Sequence, residues 1–174
     1  AFSQRDGDEQ RCVMAFRPTV APVKVGIYRL INHAPFDPVV ARVKDLLHSQ
    51  DITCKVDSSS GTVGRRYSRA DELGIPFGIT IDFQTLLDYS VTVRDRDSMS
   101  QVRVPISGLL ALIRDLVSEK LSWATVLQRF VVVSAVADEE SVEATSSTVS
   151  TAPTVVQYST RGSFSRPNPA AINK

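Results

Sequence analysis

Residues 61–76 read Gly61-Thr62-Val63-Gly64-Arg65-Arg66-Tyr67-Ser68-Arg69-Ala70-Asp71-Glu72-Leu73-Gly74-Ile75-Pro76. Glycine lets a backbone approach a ligand closely, and arginine offers forked donors that suit phosphate groups and base edges. The combination indicates a nucleic-acid contact, although a solvated turn has the same composition. We predict a short helix over 68–73 with Ser68 as its cap, preceded by a ligand-facing loop over 57–66.

The segments before this stretch predict two parallel strands joined by a helix. The apolar run 23–31 indicates a buried strand, and 52–56 is short enough to be a second strand. Between them a helix is expected to begin near Asp37, with Pro38 in its first turn. A strand, a helix and a strand at this spacing imply a right-handed crossover. Ligands of open α/β sheets lie at the carboxyl ends of such strands, where loop 57–66 is expected.

The segments after the stretch complete a mixed sheet. Residues 77–83 alternate between apolar and polar side chains, as in a half-exposed strand. Residues 90–95 and 101–105 alternate in the same way and predict a hairpin with a polar outer face. The sequence therefore predicts an α/β fold, with a mixed sheet of about five strands flanked by helices.

Two helices are expected to pack on this sheet. The stronger pattern begins at Ser107 and is too broadly apolar for an isolated surface helix. A shorter helix is capped by Ser122 and carries Trp123, whose apolar helical neighbours favour a core position over a base-stacking role. From residue 134 onward Ser, Thr, Ala, Glu and Pro dominate, so 134–174 is predicted to be a disordered extension.

Composition argues against several classes of protein. With 174 residues, 43% hydrophobic and 22% charged, the chain suits one globular domain with some extra length. No apolar run approaches the length that crosses a bilayer, so no membrane partner is expected. The net charge of +1 argues against duplex binding driven by charge alone. Cys12 and Cys54 lack the paired spacing of a zinc site, and we predict no metal ligands and no catalytic residues.

Several short motifs occur in order at compatible spacing: Lys55-Val56-Asp57, Gly64-Arg65-Arg66-Tyr67, Asp71-Glu72-Leu73-Gly74, Thr80-Ile81-Asp82-Phe83, Val93-Arg94-Asp95-Arg96-Asp97-Ser98-Met99 and Gln101-Val102-Arg103. Through these motifs the chain resembles the anticodon-binding C-terminal domain of class II aminoacyl-tRNA synthetases, specifically glycyl-tRNA synthetase of the eukaryotic or archaeal type. The resemblance covers roughly residues 1–130. It implies that 1–17 end a catalytic core or form a linker and that 18–133 are the anticodon-binding domain.

The resemblance also implies the activity of the whole enzyme. A glycine–tRNA ligase activates glycine with ATP and magnesium, transfers it to tRNA in protein synthesis, and forms a homodimer through its catalytic domain. The catalytic motifs are missing from this chain. It is therefore expected to bind the anticodon arm of glycine tRNA, to be inactive alone and to hold no cofactor itself. The implied location is the cytoplasm, with a mitochondrial copy as the alternative.

A glycine anticodon ends in two cytosines, because glycine codons begin with GG. Each unpaired cytosine presents an amino donor and acceptor atoms, so its reader needs arginines together with carboxylates or carbonyls. The region 61–103 is densely charged but balanced, which favours base reading over a pure phosphate contact. We expect residues 64–69 and 80–97 on the same end of the sheet. The candidate anticodon-binding side chains are Arg65, Arg66, Tyr67, Arg69, Asp71, Thr80, Asp82, Arg94, Arg96, Asp97 and Arg103.

Alternatives stay open at this stage. In one alternative, the hairpin residues 94–97 only pair charges along the strands. In another, Tyr67 or Phe77 is a core residue rather than a partner for an unstacked base. A second function class is a non-catalytic accessory subunit, like the processivity subunit of mitochondrial DNA polymerase, which shares this fold and binds duplex DNA. Such a subunit would be expected to have a face with net positive charge. A stand-alone interaction domain also fits the sequence.

Overall fold

The computed structural model describes residues 2–4 and 12–134. The predicted extension 134–174 lies, apart from Ser134, outside the described residues. The elements of the described chain follow in this order: β1 (Phe2–Gln4), β2 (Cys12–Met14), β3 (Val25–Arg29), a 3-10 turn (Ala34–Phe36), α1 (Asp37–His48), β4 (Cys54–Asp57), α2 (Val63–Glu72), β5 (Phe77–Ile81), α3 (Phe83–Asp88), β6 (Ser90–Asp95), β7 (Gln101–Pro105), α4 (Ile106–Val117), α5 (Trp123–Arg129) and β8 (Val131–Val133).

A mixed sheet of six strands forms the centre, in the order β4-β3-β5-β6-β7-β8. Strands β4, β3 and β5 are parallel, and the remaining neighbours are antiparallel. The predicted α/β class and the helix-flanked mixed sheet are confirmed. The expected count of about five strands is wrong by one, because β8 has only three residues and pairs with the distant strand β7. So short a segment carries no periodic signal of its own. In the part of the chain that is described, no helix has both the length and the apolar character needed to cross a membrane.

One face of the sheet carries the main hydrophobic core. Alternate residues of the strands, such as Val25, Ile79 and Val93, are fully buried against helices α1, α4 and α5. Trp123 packs on this core with its ring centroid 6.5 Å from that of Phe77, and its Nε1 donates a hydrogen bond of 2.7 Å to Ser100 Oγ. The predicted core role of Trp123 is confirmed. Burial of large apolar side chains on this face supplies most of the favourable free energy of folding.

The opposite face is polar and lies beneath α2. The strand register places Gly26, Gly78 and Arg94 in one row across β3, β5 and β6. A Cβ added at Gly78 would lie 3.1 Å from Tyr28 Cε2 and 3.7 Å from Tyr67 Cε1. Glycine at this position therefore lets the two tyrosine rings pack on the strand, at a centroid distance of 5.2 Å from each other.

Two predicted elements around the arginine-rich stretch are wrong in detail. Helix α2 begins at Val63 and not at Ser68, because the Thr62 side chain caps it by accepting a hydrogen bond from the backbone N–H of Arg65. The pair Arg65-Arg66 is therefore helical and does not lie in a loop. Strand β5 is buried on both faces rather than half-exposed, since α2 covers the face that its polar residues present.

Helix α3 is absent from the sequence-based prediction. Its six residues are too few for a periodic pattern, and Asp82 starts it through a capping box in which its side chain bonds Thr85. The helix ends at Tyr89, which adopts a left-handed conformation with φ of 54°. The chain thereby turns sharply into β6 at the end of the sheet where β5 finishes.

Candidate nucleic-acid interface

The predicted site residues divide between two ends of the sheet. We use "carboxyl edge" for the end at which the parallel strands finish, which contains Thr80, Asp82 and Arg103, and "amino edge" for the opposite end. Strand β6 runs antiparallel to β5, so that Asp95 pairs with Phe77 at the start of β5. Arg96 and the hairpin turn after it therefore lie at the amino edge. The expectation that 64–69 and 80–97 share one end of the sheet is wrong for this reason.

Arg96 is a buried structural contact at the amino edge. Its Nη1 donates to the carbonyl oxygens of Met14 and Gly74, each at 3.1 Å, and its Nη2 donates to that of Phe16 at 3.0 Å. Nε and Nη2 also donate to the carboxylate of Asp97. These bonds engage every N–H donor of the guanidinium. Arg96 therefore joins three separate chain segments and has no donor left over for a base.

Arg94 and Asp71 form a buried bidentate ion pair between β6 and α2. Nη1 and Nη2 of Arg94 lie 2.9 and 3.0 Å from the two carboxylate oxygens. The guanidinium also lies over the ring of Tyr67, 4.7 Å from its centroid. Tyr67 shares a short hydrogen bond with Thr80 Oγ1, and burial raises the pKa of its hydroxyl. The structure thus places these four predicted residues in one internal cluster that attaches α2 to the sheet.

Arg103 and Asp82 form a second ion pair, at the carboxyl edge. Nη1 and Nη2 of Arg103 lie 2.5 and 3.0 Å from the two Asp82 oxygens, and the remaining donors bond Ser90 and Thr92. Burial alone would raise the pKa of Asp82. Hydrogen bonds from Arg103 and Thr85 outweigh burial, and the pKa of this carboxyl lies below its usual range. The pair therefore fixes the start of α3 against the sheet.

This ion pair should make stability depend on pH in a defined direction. A depressed folded-state pKa contributes stability above the unfolded value of about 3.9, and that contribution is lost as pH falls through the folded pKa. We expect Asp82→Asn, which can still cap α3, to lower the free energy of unfolding by roughly 2 kcal/mol at pH 7. The difference from the parent chain should shrink as pH falls below about 4. Thermal melts across pH, with Asp45→Asn on α1 as the control, test this. A deficit that persists unchanged at pH 3 would contradict it.

The α2 arginines differ from those of the sheet because they retain unused donors. Arg65 is exposed, and Arg69 contacts Asp57 and Ser59 while its side chain stays half exposed. Arg65 and Arg69 line the same open recess on the outer side of α2. Arg66 points inward and is only 5% exposed. Its Nη2 donates one long bond of 3.3 Å to the carbonyl of Leu30, and its Nε has no partner.

Sequence reasoning missed two aromatic residues at the carboxyl edge. Phe83 is the first residue of α3 and Tyr89 directly follows the helix, and both side chains are at least half exposed. The ring of Phe83 contacts His33 and Phe36, with centroids 5.5 and 5.4 Å away. These residues could be recognised as exposed only if α3 had been predicted. Without that helix, their sequence does not distinguish them from core aromatic residues. Tyr67 and Phe77, the aromatic residues considered from sequence, both face the interior.

Known families account for this architecture. The family described as "Anticodon binding domain" matches residues 19–116, which is more than half of the chain. The chain belongs to this family. The match covers β3 through nearly all of α4, and so includes the sheet and both edges described above.

Individual relatives of this anticodon-binding domain are glycine–tRNA ligases. The chain is 45% identical over 130 residues to the enzyme of Bombyx mori, a match that covers 74% of this chain and 18% of the relative. It is 44% identical over 123 residues to "Glycine--tRNA ligase 1, mitochondrial" of Saccharomyces cerevisiae, a match that covers 71% of this chain and 18% of the relative. The chain thus spans about a fifth of the length of these relatives. The resemblance predicted from the motifs is confirmed, and a DNA polymerase accessory subunit is not favoured.

A solved structure agrees with the fold. Prolyl-tRNA synthetase from Cryptosporidium parvum, in complex with halofuginone and AMPPNP, superposes with a TM-score of 0.58 at 28% identity. The match covers 65% of this chain and 24% of that structure. The mixed sheet with its flanking helices is therefore the architecture of an aminoacyl-tRNA synthetase domain.

Proposed function

We propose that this domain binds the anticodon arm of glycine tRNA at the carboxyl edge and the adjoining half of α2. Arg66 is the observation that carries the proposal. A buried guanidinium that makes one long hydrogen bond is costly, since desolvation of its charge is not compensated. Among the described residues no carboxylate forms an ion pair with Arg66. An acceptor supplied by a ligand, either a base edge or a phosphate, would satisfy its remaining donors.

Donor counting assigns different roles to the predicted residues. Arg65, Arg66 and Arg69 have donors to spare and are proposed to contact RNA directly. The other predicted residues are proposed to act by positioning, because ion pairs and hydrogen bonds within the domain already engage them. They form the Arg103–Asp82 pair at the carboxyl edge, the Arg94–Asp71 pair with Tyr67 and Thr80 beneath α2, and the Arg96–Asp97 pair at the amino edge.

The exposed arginines and the buried one should contact different parts of the RNA. Arg65 and Arg69 lie four residues apart on the outer side of α2, which suits neighbouring phosphates of a backbone. Arg66 is held by burial at the end of β3 and can present a fixed donor edge to a cytosine acceptor. The combination provides both attachment and base discrimination.

The whole protein is proposed to be a glycine–tRNA ligase. The names of the relatives and the identity over the domain support this assignment. Activation of glycine with ATP and magnesium, and dimerisation, would reside in parts of the enzyme that this chain does not contain, so we propose no catalytic residue, metal ligand or cofactor site here. A cytoplasmic location is proposed, with a mitochondrial copy as the alternative, since one relative carries that designation in its name.

Titration of anticodon stem-loops tests the proposal. The ligands titrated are a stem-loop with two cytosines, the same stem-loop with uracil in place of each cytosine, and a duplex as control, all at a fixed salt concentration. We expect Arg66→Met to weaken binding of the cytosine loop by roughly 1–3 kcal/mol and to reduce discrimination against uracil. The melting temperature should be unchanged or higher, because the substitution removes a poorly compensated buried charge. Equal affinity of parent and variant would contradict the proposal.

The exposed arginine gives a second, separable result. Arg65→Ala should weaken cytosine and uracil loops alike and should lower the salt dependence of binding by about one released ion. Arg42→Ala is the matched control, since Arg42 is also an exposed helical arginine but lies on α1, across the sheet from α2. A loss for Arg42→Ala as large as for Arg65→Ala would show that binding follows net charge and not this surface.

A further inference from the structure

Helix α3 has the reverse of the usual amphipathic pattern. Its apolar residues Phe83, Leu86 and Leu87 lie at spacings of three and four, which places them on one face of the helix. That face is turned toward solvent, with Phe83 50% and Leu87 77% exposed. The buried residue is instead the polar Thr85, which is held in the capping box with Asp82. A helix on a folded domain normally buries its apolar face, whereas among the described residues this face stays largely exposed and the Phe83 ring contacts His33 and Phe36 along one side.

Tyr89, which follows this helix, is poorly explained by folding alone. Its φ of 54° lies in the left-handed region, where Gly and Asn are favoured and where a bulky residue is strained. Its side chain is 64% exposed, so burial does not offset that strain. Neither backbone preference nor core packing therefore accounts for an aromatic residue at this position. Backbone strain of this kind concentrates at functional sites, but Met99 has a similar φ, so the position of Tyr89 at the carboxyl edge is what makes it a candidate.

Both features lie on the edge at which RNA is proposed to bind. Tyr89 directly precedes Ser90, which accepts a hydrogen bond from Arg103, and Phe83 directly follows Asp82. The carboxylates here are engaged, Asp37 with Arg29 and both Asp82 and Asp88 with Arg103, whereas Arg66 has no ion-pair partner among the described residues. Exposed aromatic rings at the end of the sheet where Arg66 bonds the Leu30 carbonyl favour a nucleotide, which offers a π face to the rings and acceptor atoms to the cation.

We propose that Tyr89, together with Phe83, forms a stacking platform for an unpaired base of the RNA loop bound at the carboxyl edge. The inference rests on the proposed function and adds the residues that hold the base by its face. Stacking is tolerant of base identity, because every base has a π face. The platform therefore contributes affinity and loop geometry, while donors such as those of Arg66 contribute discrimination.

The test uses the full chain and anticodon stem-loops that carry 2-aminopurine at one loop position at a time. The fluorescence of 2-aminopurine falls when it stacks, so the parent chain should quench it at one or two positions. Tyr89→Asn removes the ring but suits the left-handed backbone, so its melting temperature should be unchanged or higher. We expect this variant to lose the quenching and to weaken binding roughly 5- to 100-fold. Tyr89→Phe, which keeps the π face, should retain both signals.

Met99→Asn is the matched control. Met99 is also an exposed apolar residue with a positive φ, of 56°, but it lies in the hairpin turn at the amino edge. Its replacement should leave RNA affinity and quenching unchanged. If Tyr89→Asn binds and quenches like the parent, the stacking platform is overturned while the proposed function stands. If the parent binds no stem-loop, both fail. Unchanged RNA binding with altered sedimentation of Tyr89→Asn would assign the face to a protein contact and overturn the platform.

Discussion

Replacing Arg94 with alanine is expected to lower the free energy of unfolding by about 3–5 kcal/mol, as measured by denaturant titration. The substitution leaves Asp71 buried without its bidentate partner and removes the cation that lies on the Tyr67 ring. Removing one member of a buried ion pair destabilises the fold by more than the intact pair stabilises it, because the remaining charge keeps its desolvation penalty. The face of α2 that packs on β5 and β6 should therefore loosen.

Two further variants distinguish this explanation from a general effect of losing an arginine. Arg94→Lys keeps the charge but not the planar fork, so it should recover only part of the loss. Arg114→Ala removes an exposed arginine from α4 and should change stability by no more than about 0.5 kcal/mol. If Arg94→Ala unfolded at the same denaturant concentration as Arg114→Ala, the ion pair would not hold α2 in place.

The second large effect is expected at Arg96. Arg96→Ala should destabilise the domain by about 3 kcal/mol or more, because three backbone carbonyls at the amino edge lose a charged donor in a buried setting. Unfolding followed by circular dichroism gives the magnitude. Hydrogen exchange should rise first around Met14–Phe16 and in the turn at Gly74, where those carbonyls lie.

Asp97→Ala provides the comparison for Arg96. Its carboxylate is 63% exposed, so its ion pair with Arg96 is screened by solvent and should contribute less than about 1 kcal/mol. Arg96→Lys keeps the charge and should be less destabilised than Arg96→Ala. Under conditions in which both proteins are folded, its affinity for RNA should equal that of the parent. Selective loss of RNA affinity in folded Arg96→Lys would show that Arg96 contacts RNA after all.

Elements with strong local patterns could be predicted from the sequence. The broad apolar stripe of α4, the cap Ser122 with Trp123, and the alternating pair β6 and β7 all carry their information within a few residues. Short elements could not be predicted in this way. Helix α3 depends on one capping box, and β8 depends on pairing with a strand that lies some thirty residues away along the chain.

The candidate site was harder to predict than the fold, for a reason visible in the arginines. Arg66, Arg94 and Arg96 have the same chemistry in the sequence and lie in similar motifs. The antiparallel register of β6 carries Arg96 to the amino edge and brings Arg94 beneath α2. Burial and donor satisfaction then separate a structural arginine from one with donors to spare. Those properties belong to the folded sheet and not to any local stretch of sequence.

The position of Arg96 also gives the domain a mechanical property. Arg96 fastens the segment Met14–Phe16 to one end of the sheet, while the proposed RNA contacts lie at the other end. Strand β5 connects the two ends with five residues, or about 17 Å of extended backbone. The sheet thus sets the distance between the segment Met14–Phe16 and the proposed RNA contacts. A rotation of that segment would therefore also move a bound RNA loop.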